Sequence, residues 1–156
     1  MFREYDGDGP LSTPFYNVSM TVGKTNDPNR RDDVLLVQYF LHEIYANPLK
    51  ADSVMFPGGL TFGGVAPVKV DGKCGKQTRE WINRFQWQMN ILGFPIHQDA
   101  RVHKAKGFQS KIKNTIYTIW MLNLVFSQVR ADIFDDLENH AEVPPEIRGS
   151  ITLGKK

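Results

Sequence analysis

Three side chains near the middle of the chain have types and spacing that could bind a metal ion. His97 and His103 lie six positions apart, with Asp99 between them. Imidazole nitrogens and a carboxylate suit divalent metals, so the spacing alone leaves a metal site open. No second acidic or histidine cluster accompanies them, and Cys74 is the only cysteine, which excludes a cysteine cage and an intrachain disulfide. We therefore expect no metal and no cofactor.

Two other fragments imitate catalytic motifs, and each lacks a residue that its mechanism requires. Gly23–Thr25 resembles the end of a phosphate-binding loop, but Val18 stands where that loop needs a glycine. His42–Glu43 begins a zinc-protease pattern, but Ala46 replaces the second histidine, so we expect this pair on a solvent face. No recognisable serine or cysteine nucleophile and no tuned carboxylate pair is present. The sequence therefore predicts no catalytic residues.

The composition favours one folded domain with extensions. The chain has 156 residues, of which 41% are hydrophobic and 23% charged, and its net charge is only +2. Nucleic-acid binding needs a clustered excess of lysine and arginine, which no segment shows. The first residues are acidic and glycine-rich where a signal peptide would be basic and then apolar, so we expect synthesis in the cytoplasm without a signal peptide. The redox compartment stays open.

Hydrophobic periodicity predicts a mainly α fold built on three helices. Residues 1–31 are expected to form an irregular arm with a strand-like run at 16–22, and the first helix begins at Asp32. The glycine- and proline-rich segment 47–68 is an inserted loop, and the second helix carries its apolar face from Thr78 to Met89. The third helix, 111–129, is apolar nearly all round, yet too interrupted by polar residues to span a membrane. The tail, 130–156, is expected to start as a short acidic helix, to break at Pro144-Pro145 and to end in a strand.

The loop VDGKCGKQT at 70–78 connects the first two helices. Asp71 can accept backbone N–H groups of its own loop, and Gly72 and Gly75 can adopt positive φ. Thr78 can bond back to the loop or cap the helix, and Cys74 is expected to point inward as a small hydrophobic residue. The loop is therefore interpreted first as a structural hinge, with ligand contact by its polar atoms as the alternative.

These segments together resemble the bacterial peptidoglycan-binding-like domain, a compact three-helix module. The resemblance covers roughly 23–123, interrupted by the loop at 47–68. It departs from the family pattern at Cys74, at Ala100 and His103, which replace glycines of the second turn, and at the inserted loop. The matching positions are Val34, Val37, Gln38 and Leu41 in the first helix, Asp71, Gly72, Gly75 and Thr78 in the turn, Trp81, Ile82, Phe85 and Gln86 in the second helix, and Asp99, Val102 and Trp120 beyond it.

The resemblance implies a non-catalytic module that binds peptidoglycan. Because no secretion signal and no enzyme domain accompany it, we expect a larger object to deliver it to the cell wall, such as a phage tail, a baseplate or a phage-like particle. Located in such a virion or in the cytoplasm, it would contact other protein subunits. Gln38 and Gln86 would grip the stem peptide or sugars, or would instead bond loop backbone between helices; Trp87 would stack on a sugar or lie under the arm. One alternative is a structural adaptor subunit that has lost wall binding, and another is a small lytic enzyme or toxin-related protein. The candidate peptidoglycan contacts are Gln38, Asp71, Lys73, Asn83, Gln86 and Trp87.

Overall fold

The computed structural model describes residues 2–5, 14–47, 67–106, 110, 112 and 114–153. Within these residues the predicted mainly α fold is confirmed. The predicted inserted loop at 47–68 lies outside them except for Asn47, Pro67 and Val68. The elements are β1 (Phe2–Tyr5), β2 (Pro14–Asn17), α1 (Arg31–Ala46), α2 (Lys76–Ile91), α3 (Thr118–Val129), α4 (Ala131–Phe134), a 3₁₀ helix (Leu137–Asn139), α5 (Pro145–Ser150) and β3 (Thr152–Leu153).

Helix α1 is the central element of the core. It packs chiefly against α3 and also against α2 and α5. Its first turn carries Asp32 and Asp33, which complement the positive end of the helix dipole. Asp33 is fully buried, and its two carboxylate oxygens accept the N–H groups of Ser19 (2.8 Å) and Met20 (3.0 Å). This contact fixes the incoming chain at the start of α1.

Helix α2 is amphipathic, as its sequence predicts. Its apolar face, which includes Ile82, Phe85 and Met89, is buried, while the opposite face is exposed. The helix ends at Ile91, and Gly93, directly after the capping Leu92, has a φ of +91°, a left-handed conformation that glycine adopts without strain. The N–H of Phe94 then bonds to the carbonyl of Met89 at 2.9 Å.

Helix α3 begins later than the sequence pattern predicts. The prediction of a helix from 111 is wrong for the first turns, because Asn114 has a φ of +63° and Ile112 is 46% exposed. Thr115 explains the difference: its hydroxyl donates to the Ile112 carbonyl at 2.7 Å, a local bond that competes with helix formation. The expected cover on two sides is observed, since Phe126 stacks on Phe40 of α1 with ring centroids 4.3 Å apart, and Trp120 stacks on Phe15 of β2 at 4.5 Å.

The arm and the tail share the core of the helical region. Tyr16 is fully buried, and its hydroxyl donates to the Phe134 carbonyl at 2.9 Å and accepts the Leu137 N–H at 3.1 Å. Strand β1 pairs antiparallel with β2 and parallel with β3, so the expected tail strand pairs within its own chain. Pro145 starts α5, where the sequence predicts only a break, because a proline at the first helical position loses no hydrogen bond.

No helix in the described part of the chain has the length and apolar character that a membrane span requires.

Candidate functional site

A buried glutamine of α1 organises the first loop. The side chain of Gln38 is 1% exposed. Its carbonyl oxygen accepts the N–H groups of Asp71 (3.0 Å) and Gly72 (2.8 Å). Its amide nitrogen lies within hydrogen-bonding distance of three acceptors: the Asp71 carboxylate, the Lys73 carbonyl and the Thr78 hydroxyl, at 2.9–3.0 Å. Gln38 therefore supplies the hydrogen-bond partners that the polar groups of this loop would otherwise need from water.

A second buried glutamine, in α2, makes the same set of contacts to a second loop. Gln86 accepts the N–H groups of Asp99 (3.1 Å) and Ala100 (2.8 Å). Its amide nitrogen lies within reach of the Asp99 carboxylate, the Arg101 carbonyl and the Thr118 hydroxyl, at 2.9–3.1 Å. Each acceptor is the counterpart of one at Gln38, so the core consists of two helix–loop–helix units that share α2.

The two units differ in the length of chain between glutamine and aspartate. Gln38 and Asp71 are 33 residues apart, whereas Gln86 and Asp99 are 13 apart. The additional 20 residues of the first unit correspond to the glycine- and proline-rich segment between α1 and Val68. This comparison supports reading that segment as an insertion into a helix–loop–helix unit.

The loops reach the same backbone conformation with different residues. Gly72 has a φ of +74° and Ala100 a φ of +57°. Gly75 differs from the prediction, since its φ is −99° and it precedes the first residue of α2. A positive φ is therefore needed directly after each aspartate, where the chain reverses to present its N–H groups to the glutamine, and not at Gly75.

The aspartate of each loop is held in its ionised form. The Lys73 N–H, which bonds to the Asp71 carboxylate at 2.9 Å, is the main cause of the lowered pKa of Asp71. Burial acts to raise the pKa of Asp99, but bonds from His103, the Arg101 N–H and Gln86 together outweigh it and lower that pKa. Both carboxylates thus serve as fixed acceptors at neutral pH.

A short segment before α1 contacts both loops. The Cys74 thiol donates to the Gly23 carbonyl at 3.2 Å, and burial raises the pKa of this half-buried cysteine. A β-carbon at Gly23 would lie 2.7 Å from the Ala100 carbonyl oxygen, so only glycine fits against the second loop. Arg101 also binds Asp27 with two bonds of 3.0 Å. Residues 23–27 therefore contact both loops and connect them.

The structure places the six predicted contact residues in three parts of the fold. It brings Gln38, Asp71 and Lys73 together at the first loop, and it places Gln86 in the second network. Gln38 and Gln86 are buried and bonded to loop groups, which is the arrangement that the alternative interpretation of these two residues expects. The other residues are exposed: Asp71, Lys73, Asn83 and Trp87.

Asn83 and Trp87 lie on one exposed face of α2. Trp87 is 49% exposed and is not covered by the described part of the arm. Ile91, one turn further along, is 62% exposed. Residues three or four apart are neighbours on a helix surface, so these side chains form a continuous row. The row, here called the α2 face, spans about 22 Å of helix and consists of Lys76, Glu80, Asn83, Trp87 and Ile91.

Three of the other sequence candidates, His42, Glu43 and His103, make contacts within the fold. Among the described residues no group of three or more histidine, cysteine or acidic side chains is placed to hold a metal ion. His103 contacts the Asp99 carboxylate at 3.1 Å. The prediction of a solvent face for His42 and Glu43 is wrong: both are half-buried, with His42 bonded to the Val68 carbonyl and Glu43 to Arg130.

Sequence reasoning missed Thr118, the counterpart of Thr78 in the second network. Two signals could have identified it. Each loop contains an aspartate, a small residue and a basic residue in succession, and each following helix carries a threonine in its first turn.

Comparisons of the chain with family models, with curated proteins and with solved structures find no match.

Proposed function

We propose that this protein is a non-catalytic module that binds peptidoglycan through the α2 face. The observation that carries the proposal is the exposure of Trp87, with Asn83 one turn before it, on a helix that is otherwise fixed by a buried glutamine network. An exposed indole next to an amide is suited to glycans, because the ring stacks on the apolar face of a sugar while the amide bonds to hydroxyl and acetamido groups.

The rigidity of α2 supports a binding role rather than a chance exposure. Gln86 lies one position before Trp87 and ties α2 to the second loop and to the start of α3. A recognition side chain on a fixed element loses little conformational freedom on binding, so more of the contact energy remains as affinity. In this proposal Lys73 and Asn83 add polar contacts, while Asp71 acts through the loop that it holds.

Sedimentation with purified sacculi tests the proposal. We expect Trp87→Ala to weaken binding roughly fivefold to tenfold, since it removes an aromatic stacking contact of about 1 kcal/mol. Its free energy of unfolding should stay within about 1 kcal/mol of the wild-type value, because half of the side chain is already exposed. Met20→Ala, which alters a 45% exposed side chain outside α2, serves as the matched control. Wild-type protein that remains in the supernatant would refute the proposal.

A second candidate function is supported by Ile91. An aliphatic side chain that is 62% exposed next to a tryptophan also suits a protein interface, as expected of an adaptor subunit. The two functions predict different results for Ile91→Ala: little effect if the α2 face binds a glycan, and a loss as large as that of Trp87→Ala if it binds another subunit. Subunit binding is measured by co-purification with the particle.

The proposal has two further parts. The first is that the protein does not cleave peptidoglycan, and the second is that it belongs to a phage tail, baseplate or phage-like particle. Incubation with sacculi followed by analysis of soluble fragments tests the first part. Release of muropeptides would identify a lytic enzyme instead. Detection of the chain in purified particles tests the second part.

A further inference from the structure

A cavity of about 360 Å³ lies between the second loop and the residues that lead into α3. We call it the second-loop cavity. Ile112, Ile116 and Tyr117 form an apolar part of its wall, and Ile112 is 46% exposed. Small-ligand sites in proteins range upwards from about 300 Å³, so a cavity of this size suits a ligand no larger than a sugar ring with its substituents.

The polar part of the wall includes three side chains that contact one another. His103 lies 3.1 Å from a carboxylate oxygen of Asp99 and 3.4 Å from the Thr21 hydroxyl. The other carboxylate oxygen of Asp99 accepts the Arg101 N–H at 2.9 Å and the Gln86 amide at 3.1 Å. A cationic ligand would have to displace these contacts to reach the carboxylate, so the arrangement favours a neutral ligand over a cationic one.

The hydroxyl of Tyr117 is a further polar group in the wall of the second-loop cavity. Tyr117 is 7% exposed. A tyrosine hydroxyl on a side chain buried to this extent usually has a hydrogen-bond partner. The Tyr117 hydroxyl has no such partner among the residues that the structure describes, whereas the adjacent Thr118 hydroxyl accepts the Gln86 amide at 3.0 Å. A ligand in the cavity can therefore supply an acceptor for the Tyr117 hydroxyl.

A direct contact joins the second-loop cavity to the α2 face. Gln98, which lies in the chain between the lining residues His97 and Asp99, donates to the side-chain oxygen of Asn83 at 3.1 Å. A glycan that binds the α2 face at Asn83 therefore lies next to the segment that lines the cavity. The sugars of peptidoglycan are neutral at their acetamido groups, and each of these groups combines an apolar methyl with a carbonyl acceptor. These are the two features that the isoleucines and the Tyr117 hydroxyl require.

We infer that the second-loop cavity binds an N-acetylated sugar of the glycan that lies on the α2 face. This inference rests on the proposed function and deepens it by naming the chemical group that the module selects. The acetyl methyl group packs against Ile112 and Ile116, and the Tyr117 hydroxyl donates to the acetamido carbonyl. A glycan without acetamido groups lacks both contacts, so it binds through the α2 face alone.

Calorimetric titration with two soluble tetrasaccharides of the same linkage tests the inference: one of N-acetylglucosamine and one of glucose. They differ at one position of each ring, which carries an acetamido group in the first and a hydroxyl in the second. We expect the wild type to bind the N-acetylated tetrasaccharide about tenfold more tightly, since it alone buries a methyl group and accepts the Tyr117 hydrogen bond.

The variant is Tyr117→Phe, which removes only the hydroxyl. The control is Tyr39→Phe, because Tyr39 is 3% exposed, its hydroxyl also lacks a partner within the described ranges of the chain, and it does not line the cavity. Tyr117→Phe should weaken binding of the N-acetylated tetrasaccharide about fivefold through the loss of one neutral hydrogen bond. Binding of the glucose tetrasaccharide should not change, and Tyr39→Phe should alter neither affinity.

The outcomes separate the inference from the proposed function. Equal affinity of the wild type for the two tetrasaccharides, binding of neither, or equal effects of Tyr117→Phe and Tyr39→Phe would each overturn the cavity assignment. Sedimentation with sacculi decides the proposed function independently of these results. If the protein does not sediment with sacculi but binds the N-acetylated tetrasaccharide in a way that depends on Tyr117, peptidoglycan binding fails and the N-acetyl site stands.

Discussion

Gly72 and Ala100 occupy equivalent positions, directly after the aspartate of each loop, but they differ in conformational strain. Both have positive φ, which an L-residue with a β-carbon adopts only with strain of about 1–2 kcal/mol, whereas glycine has no such strain. The second loop tolerates the alanine because two bonds to Gln86 and one to Asp99 hold its backbone. Replacing Ala100 by glycine should therefore stabilise the fold, and replacing Gly72 by alanine should destabilise it.

We expect Ala100→Gly to raise the free energy of unfolding by about 0.5 kcal/mol, since relief of strain exceeds the greater freedom of glycine in the unfolded chain. Gly72→Ala should lower it by about 1–2 kcal/mol, because a β-carbon there is strained and would also lie 2.6 Å from the Arg31 guanidinium. Chemical denaturation measures both values.

Gly75→Ala is the control for these two variants. Its φ is negative and nothing lies within 4 Å of the position of an added β-carbon, so a change of less than about 0.5 kcal/mol is expected. A loss at Gly75 as large as that at Gly72 would contradict the assignment of strain to φ.

At this scale, sequence reasoning recognised the residue types but not their roles. The aspartate, the first glycine and the threonine of the first loop could be interpreted from their known chemistry. The choice between Gly72 and Gly75 could not, because it depends on which N–H groups face Gln38, a residue 34 positions away from Gly72.

The helices and loops depend on the two glutamines as shared partners. Each glutamine serves two loop N–H groups and three acceptors, so its removal leaves buried backbone groups without partners. We expect Gln38→Met and Gln86→Met, which keep the side-chain volume, each to lower the free energy of unfolding by about 2–4 kcal/mol. Gln77→Ala, at an exposed position of α2, should change it by less than about 0.5 kcal/mol.

Amide hydrogen exchange identifies the loop that each glutamine supports. Gln38→Met should remove protection of the Gly72 N–H and leave that of the Ala100 N–H, and Gln86→Met should do the reverse. Loss of protection in both loops from either substitution would show one cooperative unit instead of two separable networks.

Helices α1 and α2 could be predicted closely, whereas the start of α3 could not. Both sequences carry an apolar stripe at helical spacing between flanking turn residues, although α1 is buried at every position from 33 to 41. For α3, Ile112 and Ile116 before Thr118 have the spacing of a helix face, but local side-chain bonds near Thr115 and the left-handed Asn114 prevail. Such bonds depend on conformation, and apolar periodicity does not report them.

At the scale of the whole molecule, Arg130 joins α1 to the tail, two parts of the chain that are far apart in sequence. Its guanidinium bonds to Glu43 of α1 at 3.0 Å, to Asp132 at 2.9 and 3.0 Å, and to Glu142. These carboxylates, Asp132 first, raise the pKa of Arg130 far above its usual value. The Arg130 side chain is only 11% exposed, so water screens the pairing weakly.

Arg130→Met should lower the free energy of unfolding by about 2 kcal/mol, because it leaves the mostly buried Glu43 carboxylate without this cation. Arg31→Met is the matched control, since Arg31 also joins α1 to the tail, through Glu146, but both side chains are about half exposed. We expect a much smaller loss there, measured by the same denaturation experiment. Equal losses would mean that burial does not determine the strength of these pairs.

The joining of arm and tail to the helices could not be predicted from the sequence. In the sequence, Asn123 is only a polar interruption of an apolar helix. In the structure, its side chain bonds to the N–H and to the carbonyl of Tyr16, each at 2.8 Å. A partner 107 residues away leaves no periodic signal, so the sequence indicated the polar residue but not its contact.

The parallel pairing of β1 with β3 determines how the fold would carry tension. Phe2 lies opposite Thr152 and Arg3 opposite Leu153, so the two strands point in the same direction. A force applied to the two ends of the chain would drag the strands lengthwise past each other rather than peel them apart. In that geometry the hydrogen bonds of the pair bear the load together, and a tether through both ends would be loaded in shear at this short ladder.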